Sequence, residues 1–242
     1  MTVQSRYYSM KASAAGEGEI LLYSEIGGGG GLFSDPGTTA EDFARDLKAL
    51  GKVKTINCRI NSPGGSVFEG MTIYNLLAAH PAKVAVHVDG LAASIASVIA
   101  MAGDTIAIAD NAMMMIHDAW GIGFGTADEI RKTADVLDSI TATIAATYAK
   151  RSRTDAAKIR AMMAAETWMS AAEAKEAGLA DCVVDNMNAQ ACAFNPRWFK
   201  NAPAHLVARN AERPARERFA AKFQRLQMAS LRARCDGRRA AP

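Results

Sequence analysis

Beyond residue 52 the chain switches repeatedly between short apolar runs that alternate like strands and longer segments patterned like helices. Each switch carries a turn or a cap. Residues 52–60 predict a strand in which Val53, Lys54, Thr55 and Ile56 alternate, and Asn61-Ser62-Pro63-Gly64-Gly65 follows as a turn. Ser66 with Glu69 three residues on predicts a capping box. The helix behind it presents Val67, Met71, Tyr74 and Leu77 on one face and stops at Pro81. Next come a strand over 83–88, a turn at Asp89-Gly90, a helix opened by Ser94, and strands over 105–109 and 113–116. Thr126 and Glu129 predict a second capping box, opening a helix to about Lys150 with Ile130, Ala134, Leu137, Ile140, Ile144 and Tyr148 as its buried stripe. A shorter helix from Asp155 leads to Glu166, Ser170 with Glu173 makes a third box, Gly178 is a stop, and 181–184 is a last strand. Strands alternating with helices in this way imply an α/β fold of βαβ units joined by crossovers. A single domain over 18–190 is long enough to bury its own core.

The flanks read differently. Residues 1–17 are polar, Ala- and Gly-containing, and expected to fray before a first strand at 19–23. Gly27 to Gly31 is an unbroken run of glycine followed by Leu32-Phe33-Ser34. A phosphate-cradling loop would need spaced glycines and Lys-Ser/Thr, so a plain loop is expected, and no nucleotide-binding motif occurs elsewhere. Thr38, Thr39, Glu41 and Asp42 open a helix that Gly51 stops. Residues 191–242 form an extension whose last 46 positions, 197–242, hold twelve Lys/Arg against three Asp/Glu; the rest of the chain carries −6 under a net charge of +3. Between 213 and 234, Phe219, Phe223, Leu226 and Ser230 follow helical spacing among arginines. That pattern suits a basic amphipathic helix meeting scaffold, capsid protein or nucleic acid, and equally a solvated tail.

Cys58, Cys182, Cys192 and Cys235 lack CxxC or metal-ligand spacing and predict free thiols in a reducing compartment. The start of the chain lacks the apolar run of a signal peptide, and the apolar stretch 91–103 is too short to span a bilayer. A cytoplasmic protein without metal or cofactor is expected.

Two residues carry candidate chemistry. Ser94 stands at the mouth of an apolar helix, and His117 closes an apolar strand 23 residues later. A serine hydroxyl becomes a useful nucleophile when a base takes its proton, and the N–H of Ile95, next in the chain, is a natural donor to an oxyanion. Ser94 also reads as an ordinary N-cap and His117 as a structural histidine; pairing is what would distinguish them. Gly-x-Ser-x-Gly is absent, so an α/β-hydrolase is unsupported. The turn at 61–65 reads either as a strand-to-helix connection or as the source of a second oxyanion donor.

Three segments together, Ile60-Asn61-Ser62-Pro63-Gly64-Gly65, Gly90-Leu91-Ala92-Ala93-Ser94 and Met115-Ile116-His117, resemble the successive signatures of Clp protease proteolytic subunits. Trp168-Met169-Ser170-Ala171-Ala172-Glu173-Ala174 and Ala177-Gly178-Leu179-Ala180-Asp181 resemble its closing segment. The resemblance covers about residues 18–186. Tyr74-Asn75-Leu76-Leu77, Ala100-Met101-Ala102-Gly103-Asp104 and Ala165-Glu166-Thr167-Trp168 give it the flavour of ClpP-like proteases of phages and prophages, which act in head maturation. It implies a crotonase-like fold with a protruding long helix, assembled as homo-oligomeric rings around a chamber. It further implies Ser94 as nucleophile, His117 as general base, and the backbone N–H groups of Gly65 and Ile95 as oxyanion hole. The family's acid, usually Asp, falls on Glu166; Asp118 beside His117 should face away. Substrates would be polypeptides, including capsid or scaffold proteins, and a separate ATPase is a conceivable partner. The alternatives are a housekeeping ATP-dependent Clp subunit, a crotonase-fold acyl-CoA enzyme and an inactive assembly protein.

Overall fold

The computed structural model describes residues 2–4, 8–13, 16–27, 39–185 and 199–203. The chain divides into two compact units, 1–194 with 199–201, and 195–198 with 202–242. The glycine run beyond Gly27 and the amphipathic pattern at 213–234 lie outside the described residues.

In chain order the elements are β1 (Thr2–Gln4), β2 (Tyr8–Ala12), β3 (Glu17–Leu22), α1 (Ala40–Ala49), β4 (Thr55–Ser62), α2 (Val67–Ala78), β5 (Lys83–Ala93) and α3 (Ile95–Ala100). They continue as β6 (Thr105–Ala109), β7 (Met113–Ile116), α4 (Ala127–Ser152), α5 (Ala156–Ala164), β8 (Thr167–Ser170), α6 (Ala171–Glu176) and β9 (Cys182–Val184). The main sheet runs β1-β2-β3-β4-β5-β6-β9, and β7 branches off β5 and carries β8. The strands from β3 through β9 on the main path pair in parallel. Ile56, Cys58 and Ile60 of β4 and Val84, Val86 and Val88 of β5 are buried, as expected for strands packed between other layers.

Strand β5 forks. Residues 85–88 pair with β6, whereas Leu91, Ala92 and Ala93 pair with Met113, Met114 and Met115 of β7. The fork falls where the β4–β5 register shifts, between the Ile60/Val88 and Ser62/Ala92 pairs. Asp89-Gly90, expected to turn, therefore lies within one long strand, which absorbs the extra residues as an irregularity.

Four other expectations need correction. Residues 8–12 do not fray: β2 pairs antiparallel with β3, and Tyr8 and Met10 bury their side chains. Ser66 caps α2 without a side-chain hydrogen bond, and the Glu69 carboxylate accepts from the orphan N–H of Ala40 at the start of α1 instead of closing a box. The buried face of α2 is Gly70, Ile73 and Leu77, with Val67, Met71 and Tyr74 half-buried beside it. The boxes Thr126/Glu129 and Ser170/Glu173 form as expected. Along α4 only the C-terminal half of the stripe is covered: Ile144 and Tyr148 are buried, Ile140 is half-buried, and Ile130 and Ala134 are exposed. The helix projects beyond the body, and its first turns have no sheet to face. No helix among the described residues is long and apolar enough to cross a membrane. No described group of three His, Cys, Asp or Glu could hold a metal ion.

Candidate active site

Ser94 sits at the sharp junction between β5 and α3, with φ 55° and ψ −131°. A non-glycine residue in that region costs about 1–3 kcal/mol and persists only where its surroundings hold it. They do so from both sides. The Ser94 N–H donates to the Met115 carbonyl at 3.0 Å, and the Ser94 carbonyl accepts from the Ser97 N–H at 3.0 Å and the Ser97 hydroxyl at 2.6 Å.

His117 reaches Ser94 because β5 and β7 run side by side in the same direction, with Ala93 opposite Met115. Each strand ends within a residue or two of that pair. Ser94 Oγ and His117 Nε2 lie 2.8 Å apart, so the two candidate groups meet in a hydrogen bond. Burial holds the imidazole below its usual pKa, with the Lys200 charge acting the same way; the charges of Glu166 and Asp118 oppose the shift. The lowered pKa favours the neutral imidazole at pH 7, and in the tautomer that leaves Nε2 unprotonated it accepts from the hydroxyl.

The turn at 61–65 is clamped against the same junction. Gly64 has φ 93°, and a Cβ there would lie 2.7 Å from both the Ala93 carbonyl oxygen and Ser94 Cβ. Gly65 has φ 145°, and its Cβ would fall 2.1 Å from the Ile26 carbonyl oxygen. Only glycine fits either position. Ile26 fixes the turn from outside, donating to the Gly64 carbonyl and accepting from the Ser66 N–H, both at 2.8 Å. The Ser62 hydroxyl donates to the Ser24 carbonyl at 2.6 Å. Ile95 opens α3, so its N–H has no partner within the helix. The Cβ position of Gly64 lies only 3.1 Å from the Ile95 nitrogen, which puts the glycine turn and that amide on one side of Ser94.

Glu166 occupies a left-handed conformation, φ 49°, between α5 and β8, and its carboxylate is buried. It is not hydrogen-bonded to His117. Its oxygens accept from Trp168 Nε1 at 3.2 Å and from the backbone N–H groups of Lys200 at 2.8 Å and Asn201 at 2.6 Å. Phe199, beside these amides, meets Trp168 at 90° with ring centres 5.4 Å apart, and His117 at 63° and 5.9 Å. Asp118 pairs with Arg160 at 3.2 Å. The Glu166 carboxylate is thus held in a cradle formed by the Trp168 indole and by amides that a later segment supplies. Sequence reasoning missed that segment, since Phe199-Lys200-Asn201 is no motif and reads as part of a tail. It also missed Gly64, whose signal was present in the paired glycines but could not say what they faced.

The sequence profile of the Clp protease family matches residues 36–187. Two relatives, the ATP-dependent Clp protease proteolytic subunits of Bacteroides thetaiotaomicron and Bacteroides fragilis, are each 33% identical over 158 residues. Those alignments span 61% of this chain and 72% and 76% of the relatives. Among solved structures, a ClpP1 mutant from Listeria monocytogenes is similar with a TM-score of 0.60 and 26% identity, over 69% of this chain and 91% of that one.

Proposed function

The chain belongs to the Clp protease family, and we propose that it cleaves peptide bonds with Ser94 as nucleophile, His117 as general base, and the N–H groups of Gly65 and Ile95 as oxyanion donors. The observation that carries this reading is the 2.8 Å contact between Ser94 Oγ and His117 Nε2 at a main-chain junction held at positive φ. As Oγ attacks the scissile carbonyl, Nε2 takes its proton, and the two amides bind the oxygen that becomes negative. His117 then returns the proton to the leaving amine, and water, deprotonated by the same nitrogen, releases the acyl group. A fluorophosphonate reagent tests the reading. It should modify Ser94, seen as a mass increase on the peptide that carries it. An unmodified serine would favour an inactive assembly protein or an acyl-CoA enzyme of related fold.

Glu166 is proposed as the acid of the triad, acting on His117 by charge. The rate should rise with pH through the titration of His117, because only neutral imidazole can take the Ser94 proton. Burial puts the midpoint of that rise below the usual imidazole value near 6.5. Glu166→Gln removes a negative charge that favours imidazolium, so the rise should move to still lower pH and turnover should fall by at least about tenfold. A pH–rate profile of both proteins checks this, and an unmoved limb would transfer the role to Asp118 or leave a dyad.

For the biological setting we propose phage or prophage head maturation, acting on capsid or scaffold polypeptides from homo-oligomeric rings. Ile130 and Val136, large apolar side chains exposed on the projecting half of α4, suit a ring-to-ring contact. The basic extension suits recruitment to capsid precursors. The housekeeping alternative, a subunit fed by a Clp ATPase, is favoured by the names of the two Bacteroides relatives.

A further inference from the structure

Beneath the nucleophile lies a buried polar pair that the mechanism above does not use. Ser97 is fully buried on α3, and its hydroxyl contacts three oxygens: the Ser94 carbonyl at 2.6 Å, the Met115 carbonyl at 2.9 Å and the Tyr148 hydroxyl at 2.8 Å. Tyr148, on the covered end of α4, is 1% exposed, and its hydroxyl lies 3.5 Å from the Ser94 carbonyl. Proton counting orients the pair. Two carbonyl oxygens this close to Ser97 Oγ require its proton, and neither can supply one. Tyr148 therefore donates to Ser97, and Ser97 shares its single proton between the two carbonyls.

The Met115 carbonyl accepts from Ser97 and, at 3.0 Å, from the Ser94 N–H. Ser97 thus ties the first turn of α3 to β7, the strand that leads two residues later to His117. We propose that Ser97 and Tyr148 are positioning residues that hold the Ser94 main chain at positive φ with its hydroxyl toward His117. The proposal rests on the reading of Ser94 as nucleophile. A residue at this strained φ keeps it only while its surroundings hold it, and loss of the Ser97 bond to the Ser94 carbonyl removes one of those holds.

The test uses the full chain with Tyr148→Phe, Ser97→Ala and the double variant, measuring peptide hydrolysis and the rate of fluorophosphonate modification of Ser94. Tyr148→Phe keeps the ring and its packing, so it decides the matter even if Ser97→Ala fails to fold. Each single variant should lose about tenfold in kcat and in labelling rate, as expected for one net hydrogen bond, with KM unchanged. The double variant should lose no more than Ser97→Ala, because Tyr148 acts by orienting the Ser97 hydroxyl. A labelled parent with Tyr148→Phe at parental rates, or with only KM altered, overturns the pair's role. A parent that takes no label overturns the nucleophile assignment and this role together.

Discussion

Ser94→Ala should reduce peptide hydrolysis by about 10⁶-fold in kcat, as loss of the nucleophile does where serine and histidine act as a unit. The substitution removes one oxygen whose hydrogen bond runs to His117, and leaves Cβ where it is. The positive φ is held by main-chain bonds to Met115 and Ser97, which alanine keeps. Stability should therefore change by less than about 1 kcal/mol. Thermal melting and oligomeric state should match the parent while hydrolysis and fluorophosphonate labelling vanish. Co-expression with a capsid precursor extends the same comparison to biology: processing should occur with the parent and stop with Ser94→Ala. Retained turnover in the variant would remove the catalytic assignment.

Gly64→Ala should come second in effect, and through a different cause. The new methyl would stand 2.7 Å from the Ala93 carbonyl oxygen and from Ser94 Cβ, in a backbone conformation of φ 93° that alanine rarely adopts. The turn cannot slide away, since Ile26 holds the Gly64 carbonyl and the Ser66 N–H on its other side. Either the turn or Ser94 must move, by several tenths of an ångström or more. Misplacement approaching about 1 Å at reacting atoms costs about a hundredfold in rate, and the strain should lower stability by about 2–4 kcal/mol. Melting temperature and kcat measured together check this. Parental values for both would mean that the turn is loose and the close approach to Ser94 carries no function.

Much of the framework was legible in the residues. The capping boxes at Thr126/Glu129 and Ser170/Glu173 formed because their partners lie three residues apart, and local chemistry sufficed. Ser66/Glu69 has the same pattern but forms no box, and its carboxylate goes to the N–H of Ala40, 29 residues away. The stripe on α4 gave the helix and its apolar face, but not that half of the face would project beyond the sheet. The N-terminal residues looked polar enough to fray until β3 offered Tyr8 and Met10 an edge on which to bury themselves.

The candidate site divides along the same line. Residue types and order along the chain were enough to nominate Ser94 and His117, because a nucleophile and a base are recognisable as chemistry. Their meeting depends on the register that aligns Ala93 with Met115, a product of the fork in β5 that no local pattern contains. The setting of Glu166 is more remote still: its carboxylate is cradled by amides 34 and 35 residues further on. Periodicity and capping follow from interactions within a few residues, so a linear reading captures them. Distances between catalytic groups follow from which strands lie side by side, and folding alone supplies that.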